Sequence, residues 1–514
     1  MQPAHWAALD PHRPAVVMGG GEIVTYRELD ERAGRFQQLL TSYGLQPGDV
    51  VAIFSENSAR YHELTWACRR GGYYFATVNS HLGADEVAYI VNDCGAKVLV
   101  AGAGRAPVAA QLTPERIPTV TRRLAVGGRI DGYDDYDLAT AAFSGPVPEW
   151  TGTQGELLQY SSGTTGRPKG IKRTLRPTPA PPEENVIVPF LQAIGLPEQG
   201  RYLSPAPLYH SAPISWSMGV HVLGGTVYVM ERFDPQQALR LIEEYRITHG
   251  QFVPTMFVRM LKLPDEVRLR YDVSSLQTVV HAAAPCPIEV KRAMIAWWGP
   301  IVSEYWSSSE GAGTTFITAP EWLEHPGSVG RGFHVTLHIC DEQGNELAAG
   351  QEGQIWAEGA PEFSYLNDPD KTAEAHDVRG WCSVGDVGRL AEEGYLYLTD
   401  RKAFMIISGG VNIYPQEAEN VLIEHPAVLD VAVLGVPNDD LGEEVRGVVQ
   451  PVRWEDAGPQ LAAELIAYCQ QRLSAYKCPR QIDFERELPR LDTGKLYKRK
   501  LKERYEAAHR AARA

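Results

Sequence analysis

Tyr160-Ser161-Ser162-Gly163-Thr164-Thr165-Gly166-Arg167-Pro168-Lys169-Gly170 is the most informative stretch of the sequence. Its hydroxyl groups, glycines and lysine bring O–H donors, backbone N–H donors and a cation into one small volume, which suits the oxygens of a polyphosphate. The spacing from glycine to lysine differs from G-x-x-x-x-G-K-[ST], and this disfavours an ordinary P-loop NTPase. A flexible surface loop is the competing interpretation, and the motifs that follow along the chain decide against it.

The segments before this stretch alternate between two kinds of pattern. Residues 50–54, 73–78 and 97–101 are short apolar runs typical of buried strands, and residues 58–70 have helix-like spacing. This alternation predicts α/β layers in which helices cover sheets. Residues 177–182 contain four prolines, which predicts a loop directly after the phosphate-binding stretch.

Composition narrows the class of protein. The chain has 514 residues, of which 44% are hydrophobic and 22% charged, so we expect a globular protein with either a large multilayer body or two or more domains. A net charge of −15 disfavours nucleic acid as a partner. The N-terminus lacks a secretory signal, which predicts a cytoplasmic protein, and no transmembrane segment is expected because prolines and glycines interrupt the uncharged stretch 202–230. Seven cysteines without a CxxC pair indicate neither a zinc site nor a disulfide framework.

Further motifs follow the phosphate-binding stretch in a fixed order. They are Tyr305-Trp306-Ser307-Ser308-Ser309-Glu310, Gly385-Asp386, Asp400-Arg401 with Ser408-Gly409-Gly410, and Leu488-Pro489-Arg490-Leu491-Asp492-Thr493-Gly494-Lys495. Together with the first stretch they resemble the motifs of the adenylate-forming superfamily, and the chain is most similar to its acyl-CoA synthetases. The resemblance covers essentially the whole chain.

The resemblance implies a two-part architecture. We expect a large N-terminal body of layered sheets and helices over residues 1–400, with the ATP and acid sites, and a small mobile α+β domain over residues 401–514. Such an enzyme is a carboxylic acid:CoA ligase that uses ATP, Mg²⁺ and CoA, forming acyl-AMP and pyrophosphate before acyl-CoA. A small-molecule carboxylic acid is the remaining substrate, and the oligomeric state stays open, with a homodimer as one option.

The resemblance also assigns roles to single residues. Lys495 is the predicted catalytic lysine, because an ammonium group stabilises the negative charge that gathers when a carboxylate attacks the α-phosphate. Glu310 and Thr164 are the predicted Mg²⁺ ligands, and His210 is predicted to lie beside the acid and the thiol path, with a buried core histidine as the alternative. The predicted ATP-binding residues are Ser161, Ser162, Gly163, Thr164, Thr165, Gly166, Lys169, Tyr305, Ser309, Asp386 and Arg401.

The remaining predictions concern the acid and the thiol. His281, Ala282 and Ala283 are predicted to border the acyl group, and Gly409 with Gly410 to let the CoA arm pass close to the backbone. Two departures from the family pattern are visible: Trp306 replaces a frequent glycine beside the adenine site, and Ala403 occupies the hinge position where relatives carry Asp or Lys.

The sequence leaves several alternatives open. A fatty, aryl-alkanoic or steroid side-chain acid fits the apolar stretches, and loading of a separate acyl carrier protein is the alternative to free CoA. A NAD-dependent dehydrogenase is disfavoured, because Gly19-Gly20-Gly21 lacks G-x-G-x-x-G spacing. A non-catalytic acyl or nucleotide sensor on the same fold is disfavoured by the presence of both Glu310 and Lys495.

Overall fold

The computed structural model describes residues 2–144, 148, 152–161, 168–177, 187–401, 404–409, 411–438, 440–490 and 496–513. The helices in these residues are α1 Pro3–Leu9, α2 Tyr26–Ser42, α3 Arg60–Gly71, α4 Ala84–Asp93, α5 Ala106–Ala109, α6 Tyr136–Ala141, α7 Ile187–Ala193, α8 Ser211–Val222, α9 Pro235–Tyr245, α10 Pro254–Leu261, α11 Asp265–Arg268, α12 Ile288–Trp298, α13 Ala319–Glu324, α14 Pro369–Glu374, α15 Pro415–Ile423, α16 Pro459–Gln470 and α17 Lys498–Arg513.

The strands, in the same order along the chain, are β1 Pro14–Met18, β2 Ile23–Thr25, β3 Val50–Phe54, β4 Tyr74–Thr77, β5 Val98–Gly102, β6 Arg122–Val126, β7 Asp134–Asp135, β8 Thr153–Gln154, β9 Leu157–Ser161, β10 Lys169–Lys172, β11 Arg176–Pro177, β12 Arg201–Ser204, β13 Thr226–Val229, β14 His249–Phe252, β15 Thr278–His281, β16 Val302–Glu304, β17 Thr315–Phe316, β18 Arg331–Gly332, β19 Thr336–Cys340, β20 Gly353–Glu358, β21 Ser364–Tyr365, β22 Asp386–Leu390, β23 Leu396–Arg401, β24 Ile406–Ser408, β25 Val411–Ile413, β26 Val428–Asn438, β27 Gly442–Pro451 and β28 Gln481–Phe484.

Local sequence signals explain where several of these elements begin and end. Thr25 and Glu28 form a capping box at the start of α2, in which each side chain accepts a hydrogen bond from the backbone N–H of the other residue. Helix α3 ends at Gly71, and the residue that follows it, Gly72, has a φ of 74°, the left-handed conformation that glycine adopts at low cost. Every residue of β3 is buried, as expected of a strand covered on both faces. The elements predicted at 50–54, 58–70, 73–78 and 97–101 are β3, α3, β4 and β5.

The first sheet has seven strands in the order β16-β15-β14-β12-β13-β1-β2. Its neighbouring strands run parallel, apart from the antiparallel pair β1 and β2. Because parallel strands point the same way, the segments that follow β12, β14, β15 and β16 all leave the sheet at one edge.

The second sheet has eight strands in the order β21-β10-β9-β4-β3-β5-β6-β7. Its core strands β9, β4, β3, β5 and β6 pair in parallel, while β10 joins β9 in antiparallel fashion. One apolar core contains Val229 of the first sheet, Phe75 of the second and Trp216 of α8. The two sheets therefore share a core, with helices between them, as layered α/β proteins do.

The chain from β19 onwards is built differently. An antiparallel sheet β19-β20-β22-β23 is followed by a five-stranded sheet of β24 to β28, which packs with α15 and α16 around its own apolar core. This layered α/β body with a smaller α+β part confirms the predicted fold class. Strand β23 ends at Arg401 and β24 begins at Ile406, and the domain boundary predicted after residue 400 stays a prediction. Within the described part of the chain, no helix has the length and apolar character needed to span a bilayer.

Candidate active site

A cavity of about 1420 Å³ opens at the carboxyl ends of the central strands of both sheets. Its wall includes Ser161 at the end of β9, His210 after β12, Ala282 after β15 and Glu310 after β16. Ligand sites in α/β proteins occur at this edge, because loops from several parallel strands converge there. The topology therefore brings together segments that are far apart in the sequence.

The stretch predicted to bind phosphate begins at the end of one strand and ends at the start of its paired neighbour. Ser161 of β9 lies opposite Lys169 of β10 in the antiparallel register, and both residues line the cavity. The Lys169 ammonium group lies 3.0 Å from Asp368 and above the ring of Tyr365. Its charge is thus already at the cavity wall, in contact with a carboxylate that a bound phosphate would compete with. The intervening predicted residues lie outside the described part of the chain: Ser162, Gly163, Thr164, Thr165 and Gly166.

Glu310 offers one buried carboxylate to the cavity. The Tyr365 hydroxyl donates a hydrogen bond of 3.0 Å to the Glu310 carboxylate. Glu310 is only 8% exposed. The neighbouring Ser309 lines the same wall, and its carbonyl accepts a hydrogen bond from Arg173. Among the described residues no group of three His, Cys, Asp or Glu side chains forms a metal site. A single carboxylate still fits Mg²⁺, which protein sites usually hold with one or two carboxylates together with substrate phosphates and water.

Asp386 is held by an indole. The Trp306 Nε1–H donates a hydrogen bond of 2.8 Å to Asp386, and both residues are buried. Arg401 is the cross-strand partner of Asp386 in the pairing of β22 with β23, so the backbones of two predicted nucleotide-binding residues are adjacent.

Tyr305 occupies a different environment from the one predicted for it. It lies against Phe190 and Trp216, and its hydroxyl accepts a hydrogen bond from Gln251. All four residues line the cavity, whereas Trp306 points to the other side and contacts Asp386. Trp306, and not Tyr305, is therefore the aromatic residue beside Asp386. Counted back from Glu310, the five-residue Tyr-Gly-x-Thr-Glu pattern also starts at Trp306, which corrects the expectation that Trp306 replaces the glycine.

His210 directly precedes α8 and lines the cavity with Ala282 and Ala283. Its ring lies 4.3 Å from that of Tyr209.

His281, in contrast, does not line this cavity. The side chain is fully buried, packs against Phe257 and lies 3.4 Å from Glu304, and burial holds its pKa well below the usual value. As the last residue of β15 it points away from the side that Ala282 and Ala283 face. His281 therefore lies behind the cavity wall and does not have the predicted position beside the acyl group.

A buried ion pair behind the site was not predicted from the sequence. The Lys291 ammonium group lies 2.7 Å from Glu304, the residue before Tyr305, and Lys291 has no exposed surface. Burial raises the pKa of Glu304, while Lys291 opposes that rise. The pair ties α12 to the end of β16 and so fixes where Tyr305 leaves the sheet. The one signal in the sequence is that Lys291 shares a helix face with Met294, Ile295 and Trp298.

Ala283 adopts a strained backbone conformation at the cavity wall. Its φ is 74°, a region that costs a residue with a Cβ atom about 1–2 kcal/mol. Ala283→Gly is expected to raise the free energy of unfolding by about 0.5–1 kcal/mol, because relief of this strain exceeds the entropy cost of glycine. It should also increase kcat/KM for acids with bulky substituents. Ala282→Gly is the control, since it removes a methyl group from the same wall without a positive φ. Equal destabilisation in both variants, measured by urea unfolding, would contradict the strain at Ala283.

The structure describes only some of the C-terminal residues for which a role is predicted. Gly409 follows β24 with a φ of 57° and donates its N–H to Leu441, whereas Gly410, Ala403 and Lys495 lie outside the described residues. Tyr497 and Arg499, which follow Lys495 closely, line the cavity. The C-terminal part thus contributes to the same wall as Glu310.

Comparisons with known proteins agree with this arrangement. FadD13, a long-chain-fatty-acid–CoA ligase of Mycobacterium tuberculosis, is 30% identical over 511 residues, which is 98% of this chain and 97% of that protein. Feruloyl-CoA synthase of Amycolatopsis sp is 32% identical over 511 residues, with 98% of each chain covered. The crystal structure of ATP-bound MatB from Rhodopseudomonas palustris superimposes with a TM-score of 0.82 at 27% identity, over 98% of this chain and 99% of that one.

Family matches cover both parts of the chain. Residues 417–495 match the AMP-binding enzyme C-terminal domain, and residues 3–363 match the AMP-binding enzyme. ATP and CoA are substrates in this family, and Mg²⁺ is its usual ion. With its fold, its ordered motifs and relatives that align over nearly the whole length, the chain belongs to the AMP-binding enzyme family and is an AMP-forming acid–thiol ligase.

Proposed function

We propose that this enzyme activates a long, mainly apolar carboxylic acid as its acyl-adenylate and then transfers the acyl group to CoA. The observation that carries the proposal is the single cavity that joins the Ser161–Lys169 strand pair and Glu310 to an aromatic wall. Phe190, Trp216 and Tyr305 form that wall. A polyphosphate and an apolar acid can thus meet in one cavity.

In the first step, the carboxylate of the acid attacks the α-phosphate of ATP, and pyrophosphate leaves. We assign Lys169 and residues 161–166 to the phosphates, Ser309 to the α-phosphate, and Asp386 with Arg401 to the ribose. Trp306 holds one carboxylate oxygen of Asp386 and thereby orients the other towards the nucleotide. A magnesium ion at Glu310 and Thr164 would neutralise phosphate charge. Lys495 supplies the positive charge that the transition state needs.

In the second step, the CoA thiol attacks the acyl-adenylate carbonyl, and AMP leaves. His210 lies at the cavity wall after β12 and is assigned to the acyl carbonyl and the thiol path. Gly409 and Gly410 are assigned to the passage of the CoA arm. We place the domain boundary between residues 400 and 401. Between the two steps, the domain that follows this boundary is proposed to rotate, which moves Lys495 out of the site and opens the path for CoA.

Free CoA is preferred to a carrier protein as the acyl acceptor, because the 408–415 segment resembles that of CoA ligases. Fatty and aryl-alkanoic acids are the preferred substrate classes, since they fit the aromatic wall, and relatives named for a long-chain fatty acid and for feruloyl-CoA span both. We also propose that the enzyme acts in the cytoplasm, where ATP and CoA are available.

Acid-dependent formation of AMP and pyrophosphate tests the proposed reaction. Purified protein is mixed with ATP, Mg²⁺ and a panel of fatty and aryl-alkanoic acids, with and without CoA, and the nucleotide products are separated. We expect pyrophosphate whenever acid and Mg²⁺ are present, and AMP with acyl-CoA only when CoA is added as well. ADP as the nucleotide product, or acyl transfer only to a carrier protein, would contradict the proposal.

A further inference from the structure

Arg69 and Arg70 are neighbours in the last turn of α3 but have different surroundings. Arg70 is buried and forms an ion pair with Asp30. Arg69 lines the cavity, and within the described residues no hydrogen bond or ion pair joins its guanidinium group to another side chain. Arg69 is half-buried, and partial loss of hydration is unfavourable for a guanidinium group that has no charged partner.

Two positive charges, on Arg69 and Arg176, and one negative charge, on Glu156, line this part of the cavity. Burial lowers the pKa of Arg69, Arg176 lowers it further, and Glu156 opposes both effects. The Glu156 carboxylate accepts a hydrogen bond from the Leu157 N–H at 3.0 Å, and within the described residues no ion pair joins it to Arg69. This part of the wall therefore attracts an anion, and the planar donor pattern of arginine matches a carboxylate.

A close backbone contact sets the position of Arg69 along the cavity. The Gly155 N–H donates a hydrogen bond of 2.8 Å to the carbonyl of Arg69, and a Cβ atom at residue 155 would lie 2.3 Å from two carbonyl oxygens. Glycine permits this approach. Six residues of extended chain separate Gly155 from Ser161, which corresponds to about 20 Å between the level of Arg69 and the phosphate-binding end.

Between the phosphate-binding end and Arg69, the cavity wall is first formed by polar and apolar side chains and then by apolar ones. Near Ser161, Gln159 of β9 is paired with Thr77 of β4, and closer to Arg69, Leu157 is paired with Phe75. All four line the cavity, and Trp216 faces it from α8. An acid that extends from the reacting centre towards Arg69 would thus pass an apolar stretch before it reaches a positive charge.

We propose that Arg69 binds a second carboxylate, at the far end of the acid, so that the substrate is a long α,ω-dicarboxylic acid with an apolar middle. This inference rests on the proposed function, since it names the substrate class of the same site. The guanidinium group would compensate for its lost hydration by forming two parallel hydrogen bonds with that carboxylate.

A favourable interaction with the carbonyl end of α3 is the competing explanation, because basic residues stabilise helix C-termini. That role needs no ligand. It predicts that Arg69→Gln changes stability slightly and leaves the preference among acids unchanged.

Binding measurements on matched acids distinguish the two explanations. Calorimetry gives Kd for α,ω-dicarboxylic acids of increasing length, for their monomethyl esters and for monocarboxylic acids of the same length. For wild-type protein we expect one diacid to bind at least about tenfold more tightly than its monomethyl ester, which equals about 1.4 kcal/mol. No preference for a diacid at any length would overturn the inference, and this comparison requires no variant.

Three variants locate the effect. Arg69→Gln should abolish the diacid preference while monoacids bind as in wild type, and Arg69→Lys should retain part of it. Arg129→Gln, a charge change at an exposed turn, should leave it intact. A preference that survives Arg69→Gln would overturn the inference. Pyrophosphate release is measured in parallel: its absence with every acid contradicts the proposed function, whereas a diacid preference that depends on Arg69 supports this inference separately.

Discussion

Glu310→Gln is expected to lower turnover by about 100-fold or more while the fold is retained. The substitution keeps the size of the side chain and its ability to accept the hydrogen bond from Tyr365, but it removes the negative charge. That charge is the feature which an oxygen-preferring ion beside a triphosphate requires. The loss should be larger at low Mg²⁺ concentration, because the remaining affinity for the ion then limits the rate.

Tyr365→Phe is the matched control for Glu310. It removes the hydroxyl 3.0 Å from the carboxylate and leaves the charge in place. We expect a loss of about tenfold in this variant, as is usual when a hydrogen bond to a metal ligand is removed. The measurement is the initial rate of pyrophosphate release across a Mg²⁺ titration. Near-normal activity of Glu310→Gln at low Mg²⁺ would show that the ion is held elsewhere.

The architecture was predictable because its signals are local. Residues 50–54 are apolar at every position, and a strand buried on both faces is what such a run forms. The spacing of residues 58–70 and the apolar run 97–101 gave α3 and β5 in the same way. Motif order then indicated that Ser161, Lys169 and Glu310 share a site, and in the structure they line one cavity.

Side-chain direction was harder to predict, because it depends on where each strand ends. Tyr305 and Trp306 are adjacent, and a shift of one residue exchanges the side that faces the acyl wall with the side that faces Asp386. The same applies to His281, which ends β15 pointing into the protein, while Ala282 and Ala283 face the cavity. A motif indicates which residues are near a site, but the direction of each side chain depends on the residue at which the strand ends.

Charges that act at the wall of the site were missed for a different reason. Lys291 and Glu304 are 13 positions apart, and neither belongs to a motif. Their pairing arises only because α12 packs against the end of β16. Arg69 likewise belongs to no motif. It lies at the cavity because the chain at Gly155 packs against the end of α3. Long-range packing of this kind leaves little trace in a single sequence.

Lys495→Ala is expected to separate the two half-reactions. The proposed ammonium group contacts ATP and acid oxygens only when acyl-AMP forms, so its loss should lower the rate of adenylation by about 100-fold or more. Lys495 lies outside the described residues, but Tyr497 and Arg499 line the cavity, which supports its approach from the C-terminal part. In the proposed mechanism, thioester formation uses the other arrangement of the domains and does not require this charge.

The decisive measurement is a pair of single-turnover rates on one folded preparation of Lys495→Ala. One rate follows acyl-AMP formation from ATP and acid, and the other follows conversion of chemically supplied acyl-AMP and CoA to acyl-CoA. We expect the first rate to fall steeply and the second to stay near that of wild type. Lys500→Ala, which removes an exposed charge from α17, should change neither rate. If Lys495 were structural, both rates would decline together with stability, because the loss would then lie in the fold and not in one transition state. Equal losses in a stable variant would refute the alternation of domains between the two steps.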